Sequence, residues 1–225
     1  LLQSVQTGDS ALDMTFGMNL FEHLHQNPAD ATIFNKAMTS VSSQEAVAVS
    51  KAYDFSEVQT LVDVGGGHGI LLATILRANP SLTGILFDRA AVVENDSDLL
   101  QNEGVATRCQ IAAGDFFARV PTGGDTYLLK YIIHDWDDER ALKILKNCRE
   151  AMGPKGKLLV VDMVIPAGNT PFIGKLKDIV MLTVTSGGME RTDVEFQNLF
   201  SKAGFKLNRI IPTQTTVSII EGIPE

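Results

Sequence analysis

From about residue 60 onward the apolar and polar positions follow two alternating rhythms. Short, nearly continuous apolar runs at 60–64, 83–87, 106–111, 125–132 and 157–163 read as buried strands. Between them, 69–79, 90–102 and 137–152 carry apolar residues at helical spacing. This alternation predicts an α/β fold, an open doubly wound, mostly parallel sheet with helices on both faces. Ahead of it, Phe16, Leu20, Phe21 and Leu24, then Ile33, Phe34, Ala37, Met38 and Val41, recur near helical spacing. Residues 1–58 are therefore expected to form a helical segment that precedes a sheet domain over 59–225.

The punctuation agrees. Asp137-Asp138-Glu139 places acid in the first turn of one helix, and Gly153-Pro154 ends it. Leu176 to Thr185 reads as a nearly all-apolar helix stopped by Gly187-Gly188, and Thr192-Asp193-x-Glu195 as a capping box for the next, which ends at Ala203-Gly204. The last two strands, about 205–211 and 216–221, are joined by a short turn after Pro212 and are expected to pair antiparallel. That makes seven strands, the last of them antiparallel.

Composition narrows the class. A chain of 225 residues, 44% hydrophobic, builds a core that needs neither disulfide nor metal. A net charge of −8 argues against nucleic acid and against an anionic membrane surface as partners. No apolar run reaches the ~18 residues of a spanning helix. The two cysteines, Cys109 and Cys148, have no ligand-like spacing and read as reduced thiols, which fits a cytoplasmic protein. The chain opens without an initiator Met or a basic-then-apolar leader, as though residue 1 falls within a longer sequence.

The first strand, Leu61-Val62-Asp63-Val64, runs into Gly65-Gly66-Gly67-His68-Gly69. Glycines at a strand end let bare backbone approach a ligand, here one with an adenosine moiety at the carboxyl edge of the sheet. Asp88 ends the second strand, where a carboxylate accepts hydrogen bonds from ribose hydroxyls. The third strand leads into Gly114-Asp115-Phe116-Phe117, an acid and an aromatic suited to an adenine, although Asp115 reads equally as a turn residue. A nicotinamide dinucleotide and S-adenosylmethionine both fit this geometry. The Gly65-x-Gly67-x-Gly69 spacing and the embedded Asp63, which repels pyrophosphate and suits an ammonium, favour S-adenosylmethionine. An NAD-dependent oxidoreductase on the same sheet is the competing reading.

The fourth strand, Tyr127-Leu128-Leu129-Lys130-Tyr131-Ile132-Ile133, is expected to end at His134-Asp135-Trp136. An imidazole there lies beside the crevice and, with an ordinary pKa near 6.5, is a competent base. A histidine at a strand end is also a common structural residue. The neighbouring acids read as helix caps rather than as a metal site, and no metal is expected.

These residues together identify a family. The chain resembles the S-adenosylmethionine-dependent O-methyltransferases of the caffeic acid, flavonoid and hydroxyneurosporene type, a Rossmann-like class I methyltransferase fold. The matching stretches are Val62–Gly69, Phe87-Asp88, Gly114–Phe117, Lys130-x-x-x-His134-Asp135-Trp136, Gly187-Gly188-x-Glu190-Arg191-Thr192-x-x-Glu195-Phe196 and Ala203-Gly204-Phe205. The resemblance implies that Gly65 approaches the cofactor, Asp88 its ribose, Asp115 and Phe116 its adenine, Lys130 its methionine end or nearby backbone, and that Ser42 contacts the cofactor. It implies His134 as general base, with Glu190 and Asp162 holding the imidazole. It also implies that Phe34, Met38, Val180 and Met181 line a pocket for a small aromatic, hydroxyl-bearing acceptor. Relatives carry an N-terminal helical dimerisation domain ahead of the part matched here, so a homodimer is expected of the full-length protein. A relative that binds the cofactor without methylating is the remaining alternative.

Overall fold

The computed structural model describes residues 1–93 and 97–225. In chain order the helices are α1 (Leu2–Thr7), α2 (Ala11–Phe16), α3 (Leu20–Gln26), α4 (Pro28–Ala52), α5 (Ile70–Ala78), α6 (Ala90–Val93), α7 (Ser97–Asn102), α8 (Asp138–Ala151), α9 (Ile173–Val184) and α10 (Asp193–Lys202). The strands are β1 (Thr60–Val64), β2 (Thr83–Asp88), β3 (Cys109–Ala113), β4 (Thr126–Lys130), β5 (Lys157–Asp162), β6 (Phe205–Pro212) and β7 (Ser218–Pro224). The expected helix over 90–102 is present at both of its ends, and 94–96 lie outside the described residues.

The strands form one seven-stranded sheet in the order β3-β2-β1-β4-β5-β7-β6. Strands β1 to β5 pair parallel, and β7 enters antiparallel between β5 and β6. The chain moves outward from β1 through β2 to β3, then returns to lay β4 on the other side of β1. That reversal opens a crevice at the carboxyl ends of β1 and β4, where open α/β sheets bind their ligands.

Burial on both faces accounts for the continuous apolar runs. Leu61, Leu128, Leu159, Val161 and Ile219 pack on one side with α4 and α5, while Val62, Val64, Tyr127, Leu129, Val160 and Ile220 pack on the other with α8 and α10. Truncating any of the buried leucines to alanine removes about 2–5 kcal/mol.

The last strand runs over Ser218–Pro224 rather than about 216–221, and two other strands also differ from the sequence reading. The third strand starts at Cys109, because Ala106–Arg108 form a 3-10 turn. The Arg108 guanidinium in that turn donates to the carbonyls of Leu76, Asn79 and Leu82 and so closes the end of α5. The fourth strand stops at Lys130 rather than running to 132. Tyr131 adopts a left-handed conformation, φ 54°, which ends the strand, and His134 rides on a 3-10 turn over Ile133–Asp135.

In the helical segment, periodicity located the helices, but many of the apolar positions stay exposed. Ile33, Met38 and Val41 of α4 are exposed, as are Leu176, Ile179 and Val180 of α9. Only the second half of α4 is buried, through Glu45, Ala46, Ala48 and Val49. The first helices lean on α9, where the Ser10 hydroxyl donates to Thr183 O at 3.1 Å and the Ser186 hydroxyl donates to Asp13.

Candidate functional site

The glycine turn after β1 is built for close approach. Gly65, Gly67 and Gly69 all have positive φ, between 57° and 81°. A Cβ on Gly65 would collide with Ile132, whereas a Cβ on Gly67 would meet no protein atom and would stand in open space. Asp88 at the end of β2 accepts from the Gly67 N–H at 2.9 Å and from the Arg89 N–H at 2.7 Å, which fixes the turn against the second strand. Asp63 lies beneath the turn, against Gly66, rather than in the crevice. Burial pushes its carboxyl up to about 7, and Asp88 adds to the effect.

Beyond β3, Asp115 accepts from the Phe117 N–H at 2.8 Å and so acts at least as a turn cap. Phe116 and Phe117 meet edge to face at 4.9 Å, and Phe117 abuts Trp136 at 4.8 Å. Phe21 of α3 stacks on the same Trp136 at 5.5 Å. Four aromatic side chains from three separate segments thus form one cluster at this edge of the sheet. Phe21 was legible only as a helical apolar position, and its partnership with Trp136 had no local signal.

Helix α4 lays one polar stripe against this edge of the sheet. Thr39, Ser42 and Glu45 are spaced to share a face. The Thr39 hydroxyl lies 3.1 Å from His68 Nδ1, Ser42 accepts from Lys130 Nζ at 3.0 Å, and Glu45 pairs with Lys130 at 2.8 Å. The Tyr131 hydroxyl also donates to Glu45, at 2.7 Å. Ser42 and Lys130, inferred separately from the sequence, are therefore direct partners.

His134 is buried, and its Nδ1 lies 2.9 Å from Glu190 Oε1. A carboxylate only accepts, so Nδ1 carries the proton and Nε2 is the nitrogen left to receive one. Asp135 stands 3.4 Å from Nε2. The Tyr131 ring stacks on the imidazole at 4.9 Å and 16°. Burial works against the imidazole's charge, but Asp135, the Glu190 hydrogen bond and Asp162 outweigh it and hold His134 above its ordinary value. Asp162, the last residue of β5, is fully buried, and among the described residues neither of its oxygens has a hydrogen-bond partner. Burial pushes Asp162 up to about 7, with His134 pulling it down and Glu190 pushing it further up.

The Gly-Gly-x-Glu-Arg-Thr stretch holds this turn in place. Gly188 passes under the His134 backbone, and the Met189 N–H donates to His134 O at 2.9 Å. Arg191, 1% exposed, donates to Ile133 O and to Trp136 O at 2.9 Å each and pairs with Asp138. Thr192 then caps α10 in a reciprocal box with Glu195. Gly188 and Arg191 were seen in the sequence as motif letters, and their work on the His134 turn needs a contact across more than fifty residues.

Residues 1–206 match the O-methyltransferase domain family. The chain is 46% identical over its whole length to the phenazine O-methyltransferase PhzM of Lysobacter antibioticus, of which it covers 65%. It is 42% identical over 94% of its length to the mitomycin biosynthesis 6-O-methyltransferase of Streptomyces lavendulae, covering 60% of that protein. The chain belongs to the O-methyltransferase family. It spans less than two thirds of the length of these relatives, 65% of one and 60% of the other. The crystal structure of LaPhzM superposes on all of this chain with a TM-score of 0.96 at 45% identity, and the chain covers 67% of it. An O-methyltransferase from neocarzinostatin biosynthesis, solved with S-adenosylmethionine and 2-hydroxy-5-methyl naphthoic acid, superposes with a TM-score of 0.90 at 32% identity. The chain covers 66% of that structure. The fold is thus the Rossmann-like class I methyltransferase fold expected from the sequence.

Of the four acceptor-pocket candidates in this chain, Met181 is buried, Phe34 is half-buried, and Met38 and Val180 are exposed. They lie on α4 and α9, the two helices with the longest uncovered apolar faces. Both cysteines are free, and no helix of the described residues is long and apolar enough to cross a membrane. Among the described residues, no group of three or more His, Cys, Asp or Glu side chains is arranged to hold a metal.

Proposed function

We propose that this chain is the S-adenosylmethionine-binding part of an O-methyltransferase that methylates a hydroxyl of a small aromatic metabolite, with His134 as the general base. The observation that carries the reading is the His134–Glu190 pair at 2.9 Å, buried beyond the end of β4. The open space at Gly67 and the left-handed glycines fit a cofactor whose adenosyl and methionine parts lie across the crevice. Asp88 would take its ribose, Asp115 and Phe116 its adenine, and Gly65, Lys130 and Ser42 its amino-acid end. When bound, that cofactor supplies a methyl group activated on a sulfonium.

The chain's own residues supply the rest. A neutral phenol is a poor nucleophile, and His134 Nε2, which faces Asp135 at 3.4 Å, is the nitrogen that would take its proton. Glu190 fixes the tautomer and supports the imidazolium that forms, as the acid of a hydrolase triad does. Asp162 adds negative potential on the same ring. Phe34, Met38, Val180 and Met181 offer pliable apolar surface to a flat acceptor. The relatives' names point to phenazines, naphthoic acids and other fused or substituted aromatics as the class to try. The free thiols are consistent with a cytoplasmic protein, and the uncovered faces of α4 and α9 with a homodimer of the full-length protein.

His134→Gln tests the assignment. Titration calorimetry is expected to give near-normal affinity for S-adenosylhomocysteine and none for NADH. Mass spectrometry on a panel of catechols, phenols and hydroxyphenazines is expected to show a 14-dalton gain that the variant loses. Activity retained within a few-fold sinks the base assignment.

A further inference from the structure

Lys177 has no part in the roles assigned above. It projects from α9 one turn before Met181, with its ammonium 4.0 Å from Glu190 Oε1. That is the oxygen that accepts the His134 Nδ1 proton at 2.9 Å. The same ammonium stands 3.4 Å from the centre of the Tyr131 ring, and that ring stacks on the His134 imidazole. One cation therefore touches both supports of the imidazole.

We propose that Lys177 is a positioning residue that restrains the basicity of His134 by sharing Glu190 Oε1 and the Tyr131 ring with it. The inference rests on the reading of His134 as the base. A carboxylate whose charge is divided between an ammonium and an imidazole stabilises an imidazolium less than one facing the imidazole alone. A ring face that already attracts one cation likewise offers less to a second.

The surroundings show why such a counterweight matters. His134 faces Asp135 on its own turn, Asp162 from β5 and Glu190 from the loop after α9. Glu45 of α4 and Lys130 of β4 reach it only through Tyr131, the first at its hydroxyl and the second 4.0 Å from its ring. Asp178 of α9 is taken up by the Glu190 N–H at 2.9 Å. Three acids around one imidazole favour the protonated form, which cannot accept a proton from an acceptor hydroxyl. Lys177 is the cation set against Glu190 and opposes that outcome. Its position, on the helix that also carries Val180 and Met181, makes it a coupling between the acceptor side of the site and the base.

The test follows the His134 ring by NMR in the whole chain, without acceptor or cofactor. The chain has four histidines, and His134→Gln identifies the resonance. Lys177→Met is expected to raise the His134 midpoint by about half to one pH unit. Lys177→Arg, which keeps the charge, is expected to leave it within about 0.2 unit of the wild type. With 1-hydroxyphenazine as the acceptor, the acidic limb of kcat/KM is expected to move to higher pH by the same amount, a three- to tenfold loss of relative kcat/KM at pH 6. A His134 midpoint that does not move in Lys177→Met overturns the proposal. A midpoint that moves while the acidic limb stays fixed supports the coupling and overturns His134 as the base. Lys177→Gln gives the same readout if the Met variant folds poorly.

Discussion

Gly188 runs so close beneath His134 that a Cβ there would stand 2.6 Å from the His134 carbonyl oxygen. It would also stand 2.2 Å from the Thr185 hydroxyl, so the glycine has no room on either side. Gly188→Ala must displace the turn that carries the imidazole. We expect a loss of about 1–3 kcal/mol in thermal unfolding and at least a tenfold fall in methylation rate. Unchanged activity in a folded Gly188→Ala protein would mean that the turn does not set the position of His134.

Arg191 makes a comparable case from the other direction. Its guanidinium bridges the carbonyls of Ile133 and Trp136, on either side of His134, and is almost fully enclosed. Arg191→Met leaves both carbonyls short of a donor and is expected to cost about 2–4 kcal/mol. Urea unfolding measures the cost. Arg191→Lys, a point charge with the wrong shape for two carbonyls, should recover only part of it.

The buried acids give the protein a definite pH dependence. Asp162 and Asp63 are both pushed up to about 7 by burial, from an ordinary value of 3.8. An acid raised in the folded state keeps its full contribution below its unfolded value and loses it as pH rises through the folded one. His134, also held high, adds a loss of the same sign above its ordinary value of 6.5. Unfolding free energy is therefore expected to fall between pH 4 and pH 8. Asp162→Asn, which cannot ionise, should flatten that slope and gain on the order of 1–3 kcal/mol over the wild type at pH 8. Its methylation rate should drop, because the imidazole loses a supporting charge. Denaturant curves at pH 5 and pH 8 decide the matter, and a wild type more stable at pH 8 contradicts it.

Two glycines of the same turn should fail differently. At Gly67 an added methyl meets only open space, so Gly67→Ala should fold at a cost of about 1 kcal/mol for its left-handed backbone. Its affinity for S-adenosylhomocysteine should fall at least tenfold. At Gly65 the methyl strikes Ile132 inside the protein, so Gly65→Ala should lose stability as well as affinity. Calorimetric titration beside a melting curve separates the two.

Much of the architecture was legible in the sequence because burial on both faces of a parallel sheet writes itself as unbroken apolar runs. Asp88 and the glycine turn were legible for the same local reason, since a strand end and its spacing lie within one βαβ unit. The boundary of β4 was not, because Tyr131 turns left-handed without being a glycine or an asparagine. The exposure of Ile33, Val41 and Leu176 was hidden too, since helical spacing reveals that a face is apolar but not what covers it. Glu190 and Asp162 came only through the family resemblance, as the hydrogen bond of the first and the charge of the second reach His134 through chain reversals far apart in sequence. Lys177, on a helix read as apolar, gave no signal of its own.

The position of β7 has a consequence for how the chain is made. This strand is the last in sequence, yet it sits inside the sheet between β5 and β6. Until residues 218–224 leave the ribosome, β5 presents a bare edge of unpaired amides and carbonyls beside the residue that ends it, Asp162. An emerging chain thus carries the edge of β5 as an adhesive border. The β5 edge stays open to a wrong strand until residues 218–224 pair with it.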